Sequence, residues 1–394
     1  MTASHQAADE RTKPAAARAE VVVDLDVIRR NVATLIQHVD GAQMMTVVKA
    51  DGYGHGMVEV ARSARAGGAH WLGVAVMEEA PTLRVAGDSG RILTWLAVPG
   101  EDYRPCIEAD VDVTAYSVQQ LDEIVGAARE VGRTARLQLK VDTGLSRGGS
   151  TAQCWPDLVR AAGVAQERGS VRVAGVWSHL ACSDEPDHPA NDQQEQAFRA
   201  ACTVAAGLEP EILHLANSAA ALLRPSARFD LVRCGIASYG LTPAPEVVSS
   251  ADLGLVPAME VSGRLAMVKR IAAGAGVSYG HTFHTQEDTT VGVVPVGYGD
   301  GVPRHGSSRA EVLVGGRRRP VLGRVCMDQF VVPIDADATA GDRVVLFGDG
   351  SDGGPTAQDW AEACETISYE IVTRIGGRMH RRHVSGERDR EGAA

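Results

Sequence analysis

Lysine is scarce in this 394-residue chain: four residues, against 35 arginines. Arginine keeps its proton in a protein and lysine can lose it, so a lysine retained among arginines marks a place where a nucleophilic amine could be needed. Lys49 ends an apolar run and opens the glycine-rich stretch Asp51-Gly52-Tyr53-Gly54-His55-Gly56. Lys140 ends a second run, followed by Asp142 and then TGLSRGG, which carries Arg147. A lysine desolvated behind valines has a lowered pKa and can form a Schiff base with an aldehyde. The competing reading is an ion-paired structural lysine, because ion-pair networks also perturb pKa values. Glycines after Lys49 let a ligand approach the backbone, and the Tyr53 hydroxyl can donate to a phosphate. Asn217-Ser218 and Gly235-Ile236 offer a hydroxyl and backbone N–H groups of the same use. Ser218 also reads as a helix N-cap, and Arg233 as a salt bridge.

Such groups must converge, so the elements carrying them matter. Eight short apolar runs occur at Met44–Lys49, Trp71–Val76, Ile92–Val98, Val111–Tyr116, Leu137–Val141, Val171–His179, Ile212–Leu215 and Phe229–Arg233. Helix-compatible stretches separate most of them, such as Val118–Val131, Cys154–Arg168 and Asn191–Ala206. The third and seventh intervals are short. No GxGxxG follows the first run, and the alternation predicts α/β architecture with an N-terminal (β/α)₈ TIM barrel rather than a doubly wound sheet. The runs are apolar rather than alternating, as strands buried on both faces require. In such a barrel chemistry sits at the C-terminal strand ends. Lys49, Lys140, His179, Ser218 and Arg233 all fall there. Phosphate often binds after strands seven and eight of such barrels. A Schiff-base lysine facing a phosphate cradle predicts pyridoxal 5′-phosphate, with Arg233 as the partner of the ring nitrogen.

The organisation expected from this rhythm is a flexible tail at residues 1–20, a barrel at 21–250, a mainly β C-terminal domain at 251–385, and a frayed tail at 386–394. Val21–Asp26 is a short β-like run, and Asp26 is placed to cap the helix that follows. Thr356–Ile375 has the spacing of one helix. From Arg381 the chain turns charged and is expected to fray.

Net charge of −11 argues against broad nucleic-acid binding, which needs a basic face. No run approaches the ~20 apolar residues of a membrane span. Seven cysteines form no CxxC pair or zinc spacing, so reduced thiols and a cytoplasmic location are expected. No metal is expected. His281 and His284 have HxxH spacing and DEPDH is acidic, but both read as solvated loops.

At VVKADGYGHG the chain resembles the alanine racemases, a family of fold-type III pyridoxal phosphate enzymes. The resemblance runs from about Ala19 to Tyr369 through WLGVAVMEEA, LKVDTGLSRGG, SHLACSDEP, ANSAA, VRCGIASYGL, VSYGHTF, GYGDGVPR, GRVCMDQFVV and ISYEI. It implies two catalytic bases, Lys49 on the D-alanine face and Tyr279 on the L-alanine face. Lys49 is also the cofactor-bearing lysine. It implies that Arg147 contacts the substrate carboxylate, that Arg233 faces the pyridine nitrogen, and that Tyr53, Ser218, Gly235, Ile236 and Tyr369 cradle the phosphate, beside Asn217. His179 is implied between Arg233 and Tyr279. Tyr298 and Met327, with Asp328 beside them, are implied at the substrate entrance, and Lys140 as a lysine open to carbamylation. Asp142 receives no role.

The resemblance further implies a homodimer whose subunits share active sites, with alanine as substrate and D-alanine for peptidoglycan as product. Three departures stand out. Gly52 and Gly299 replace a more common alanine, and the RMHRRH ending matches imperfectly. The nearest alternatives are a racemase of broader specificity and a fold-type III decarboxylase. That decarboxylase group typically puts Glu on the ring nitrogen, where this chain has Arg233.

Overall fold

A computed structural model describes residues 17–386. Strand β1 (Ala19–Asp24) is followed by the helix Leu25–Val39 and then by eight parallel strands: β2 (Gln43–Val47), β3 (Trp71–Val76), β4 (Arg91–Leu96), β5 (Asp112–Ala115), β6 (Ala135–Lys140), β7 (Val171–Trp177), β8 (Ile212–His214) and β9 (Leu231–Cys234). Their order is β8-β7-β6-β5-β4-β3-β2-β9. Backbone bonds across the seam, Asp230 N–H to Leu213 O at 3.1 Å and Arg233 N–H to Ala216 O at 3.0 Å, draw the two ends together. All eight expected runs are therefore strands of one nearly closed barrel. The short third and seventh intervals hold helices of five residues (Arg104–Glu108) and six (Ser218–Leu223).

The intervening helices follow local chemistry. Val118–Val131 begins where Ser117 accepts from Gln120 N–H and ends where Gly132 takes φ 72°, the conformation glycine adopts without a Cβ clash. The helix Leu25–Val39 buries Val27, Ile28, Val32, Leu35 and Val39 on one stripe. Its cap is Asp24, whose side chain accepts from Val27 N–H at 3.0 Å. Asp26 lies inside the first turn instead of at the cap, and there it meets the N-terminal end of the helix dipole favourably.

Beyond the barrel, β10 (Met259–Arg264) enters a six-stranded sheet with strands Glu311–Val314, Arg317–Pro320 and Arg343–Phe347. A three-stranded sheet of Met267–Ile271, Thr289–Val294 and Phe330–Pro333 adjoins it in the sequence. Two segments depart from expectation here. Residues 21–24, expected in the barrel unit, lie in β1, which pairs antiparallel with β10. Their burial alternates, as in a strand with one covered face, whereas barrel strands such as β5 and β9 are buried throughout. The charged ending, expected to fray from Arg381, forms the strand His380–Val384, parallel to β1. Ala19 and Glu20, expected in the tail, begin β1. The rest of that tail up to residue 16, and residues 387–394, lie outside the described residues.

The predicted helix Thr356–Ile375 is two helices, Ala357–Ala363 and Ser368–Arg374. Glu365 takes φ 53° between them, a left-handed conformation that a continuous helix cannot contain. No described helix is long and apolar enough to cross a membrane.

Candidate active site

The chain leaves β2 through an unusual turn. Ala50, Asp51, Gly52 and Tyr53 all have φ between 53° and 61°. A non-glycine residue there costs roughly 1–2 kcal/mol, so three of them need compensation. Glu79 supplies part of it: Oε1 accepts from Ala50 N–H at 2.7 Å, and Oε2 from Ala75 and Val76 N–H at 2.9 and 3.2 Å. Asp51 accepts from Met57 N–H at 2.9 Å and pairs with Arg381 of the C-terminal strand. Gly52, one of the departures from the family pattern, stands at φ 61° and relieves the turn at one of its four positions.

This turn opens onto a cavity of about 270 Å³. Lys49, Tyr53, Lys140, Arg147, His179, Asn217, Ser218, Arg233, Gly235, Ile236 and Tyr369 all line it. The cavity wall carries four basic side chains and no carboxylate. That imbalance makes the chamber a receptor for an anion.

Titration follows from it. Burial, then Arg147, lowers the Lys49 pKa, and Glu79 opposes the shift. Burial, then Arg233 and Arg147, pushes Lys140 down to about 8. Its Nζ sits 4.5 Å from the Trp177 ring centroid. Burial and the surrounding cations hold His179 well below its ordinary range, and therefore neutral. Arg233 is pushed down to about 9 by burial, so it stays charged near neutrality.

Arg233 makes no ion pair with a carboxylate among the described residues. Its Nη2 donates to the carbonyls of Ser178 (2.8 Å) and Leu215 (3.0 Å) and lies 3.2 Å from His179 Nδ1. Its Nη1 lies 3.1 Å from His214 Nδ1. The salt-bridge reading of Arg233 therefore fails. The N-cap reading of Ser218 fails too: Asn217 caps that helix, accepting from Ala220 N–H at 3.1 Å. Ser218 Oγ instead accepts from Gly235 N–H at 2.9 Å.

The cradle at this end is tight. A Cβ on Gly235 would lie 2.2 Å from the Tyr53 hydroxyl, so only glycine leaves the phenol its place. Tyr53 and Tyr369 rings are 6.2 Å apart, and burial raises the pKa of both phenols. They remain neutral hydroxyl donors, suited to a phosphate. Hydroxyl and N–H donors at one end, an amine of lowered pKa and a buried guanidinium thus fit a phosphorylated aldehyde of pyridine.

Several contributors escaped sequence reading. Trp95 and Trp177 line the cavity, and the Tyr239 hydroxyl donates to Val47 O at 2.9 Å while its ring packs 4.9 Å from Tyr53. Tryptophan at a barrel-strand end was the available signal, since the chain has only five. Asp142, left without a role, folds the Arg147 loop by accepting from Gly144 and Ser146 N–H at 2.9 and 3.1 Å.

The other four candidates do not line this cavity. Tyr279, Tyr298 and Met327 are 72%, 40% and 54% exposed, and Asp328 is also exposed. They share neighbouring loops. Tyr298 N–H donates to Cys326 O at 3.0 Å, and Ser278 Oγ to Arg324 O at 2.7 Å. Arg378 braces the set, bonding buried Asp300 through Nε and Nη2 at 3.1 Å and Asp328 through Nη1 at 2.7 Å. A Cβ on Gly299 would lie 3.0 Å from Arg378 Nη2, so that departure makes room for the brace. His281 and His284 are exposed, with rings 6.0 Å apart.

Residues 23–243 match the family model for the N-terminal domain of alanine racemase, and residues 258–383 the model for its C-terminal domain. An alanine racemase of Frankia casuarinae is 52% identical over 370 residues, covering 93% of this chain and 96% of that protein. One from Thermobifida fusca is 53% identical over 374 residues, covering 94% and 99%. Among solved structures, alanine racemase from a D-cycloserine-producing Streptomyces lavendulae superposes with a TM-score of 0.93 at 50% identity, covering 94% of this chain and 98% of that one. The enzyme of Streptomyces coelicolor A3(2) gives 0.92 at 50% identity, covering 93% and 98%.

Proposed function

The chain belongs to the alanine racemase family and is an isomerase, and from that premise we propose that it interconverts L-alanine and D-alanine with pyridoxal 5′-phosphate, in the cytoplasm, supplying D-alanine for peptidoglycan. The observation that carries the cofactor reading is the cavity wall of four basic side chains without a carboxylate, one of them a lysine of lowered pKa. Bound there, pyridoxal phosphate would supply the electron sink that makes the alanine α-proton removable.

The chain's own residues do the rest. Tyr53, Ser218 and Tyr369 hydroxyls, with Asn217 and the Gly235-Ile236 backbone, hold the phosphate. Arg233, charged and anchored by carbonyls, would face the ring nitrogen. Because an arginine keeps its proton, it would leave that nitrogen unprotonated and moderate the sink. Arg147 takes the substrate carboxylate.

Two bases on opposite faces exchange the proton without turning the substrate. Lys49 Nζ, the amine that would hold the cofactor, would serve one face. Tyr279 Oη serves the other. We assign Tyr279 to a second copy of the chain, with Tyr298, Met327 and Asp328 around the entrance. The exposure of all four, away from the cavity of their own chain, supports a head-to-tail homodimer with shared sites.

The test is chiral chromatography of products from L-alanine, L-serine and L-lysine. D-alanine should dominate. Release of carbon dioxide and an amine would contradict the reading, and faster conversion of serine or lysine would replace it with a broader racemase.

Lys140 gives a pH prediction. Carbamylation joins carbon dioxide to a neutral amine with loss of a proton. With a pKa of about 8, roughly a tenth of the amine is neutral at pH 7, against about one part in three thousand for an ordinary lysine. Carbon-13 bicarbonate should therefore give a carbamate resonance that grows from pH 7 to 9 and vanishes in Lys140→Met. A signal unchanged by that substitution would place the modification elsewhere.

A further inference from the structure

A continuous run of buried polar groups crosses the barrel from Arg233 at the cavity to the opposite mouth. His214 Nε2 lies 2.7 Å from Gln138 Oε1. Gln138 Nε2 donates to Asp112 Oδ2 at 2.8 Å. Asp112, the first residue of β5, accepts from Arg91 Nη2 at 2.9 Å and from Arg136 Nε at 2.9 Å. Those two arginines share Glu211, which also pairs with Arg172 at 2.7 Å. The side chains of Gln138, His214 and Asp112 are fully buried.

Only one set of proton positions satisfies this chain. A carboxylate can only accept, so Asp112 turns the Gln138 amide nitrogen toward itself. Gln138 must then present its oxygen to His214, and His214 Nε2 must carry the hydrogen. That leaves the His214 Nδ1 lone pair facing Arg233 Nη1, which can only donate. A doubly protonated His214 would set two donors against each other. The Trp177 ring stacks on His214 at 5.6 Å and 11°, and Arg233 Cζ lies 5.0 Å from the Trp177 ring, so one indole packs against both groups. Among the described residues, Arg233 is the one charged group that bears on the titration of His214.

We propose that Asp112, at the mouth of the barrel away from the cavity, and Gln138, midway along β6, are positioning residues for the chemistry: they fix His214 as the neutral Nε2–H tautomer, and its Nδ1 holds the Arg233 guanidinium against the cavity floor. The inference rests on Arg233 facing the cofactor ring. It gives the salt-bridge ring under the barrel a second role beside closing the strand starts, where residues ordinarily serve stability.

The test is nitrogen-15 NMR of histidine-labelled protein, with His214 assigned by His214→Asn. Unmodified protein should show the Nε2–H tautomer. Asp112→Asn, which offers Gln138 a donor as well as an acceptor, should produce mixed tautomers. It should also lower kcat on the order of tenfold, with KM changed less than about twofold. Gln138→Met, which removes both bonds at little change in volume, carries the same test if Asp112→Asn does not fold.

A purely structural role would lower the melting temperature and leave tautomer and kcat per folded molecule as they were. That result overturns the proposal, as does any other His214 form in unmodified protein, or mixed tautomers with unchanged kcat. If unmodified protein racemises nothing, the proposed function fails, and the tautomer result still decides the relay separately.

Discussion

Replacing Lys49 with alanine should reduce racemisation by on the order of 10⁴-fold while the protein keeps its melting temperature within a few degrees. The size follows from losing both the covalent attachment and one of the two bases, since a positioned acid–base group alone is worth about 10²–10⁴. The small stability effect follows from the site. Lys49 sits where burial and Arg147 already disfavour its charge, so its removal relieves repulsion rather than breaking an ion pair. Coupled D-alanine detection and differential scanning calorimetry measure the two quantities. A variant keeping more than about a tenth of wild-type activity would remove Lys49 from the chemistry. Lys49→Arg should be no better, because a guanidinium stays charged and cannot form the attachment.

Mixing inactive Lys49→Ala and Tyr279→Ala proteins should restore activity, up to about a quarter of wild type. Random re-pairing makes half of the dimers mixed, and each mixed dimer has one intact site, built from the lysine of one chain and the tyrosine of the other. Each variant alone should be nearly inert. The expectation comes from placement: Tyr279 is 72% exposed and lies outside the cavity that Lys49 lines. Subunit exchange is followed by native mass spectrometry of differently tagged chains. Exchange without recovered activity would mean that Tyr279 acts within its own chain or not at all.

The barrel was legible in the sequence because strands covered on both faces must be apolar runs, and all eight runs are strands. Features that depend on distant pairing were not. Val21–Asp26 reads as a β-like run in the same unit as the barrel, yet the neighbours of Val21–Val23 are β10 and the strand His380–Val384, more than 200 residues away. The same long-range pairing orders an ending whose charge alone predicts fraying. The break at Cys364–Ile367 escaped because apolar spacing continues in phase through it, while the backbone turns left-handed at Glu365.

In the site, residue types at strand ends pointed to one cavity, and Lys49, Lys140, His179, Ser218 and Arg233 line it together. Trp95, Trp177 and His214 were missed because an aromatic ring within a strand looks like core until its neighbours are known, and the rarity of tryptophan was the one signal for the first two. The Asp112–Gln138–His214 chain was invisible for a related reason: its members lie on three strands, and no local pattern links them. Tyr279, Tyr298 and Met327 were suggested by family resemblance alone, and single-chain geometry leaves them on the surface.

Of all measurements, borohydride treatment of the protein loaded with pyridoxal phosphate, followed by peptide mass mapping, tests the central claim most directly. Reduction should leave one stable cofactor adduct per chain, on the peptide containing Lys49, with the loss of racemase activity matching the extent of labelling. An adduct on Lys140 or Lys269 in place of Lys49, or full activity after complete reduction, would contradict the account.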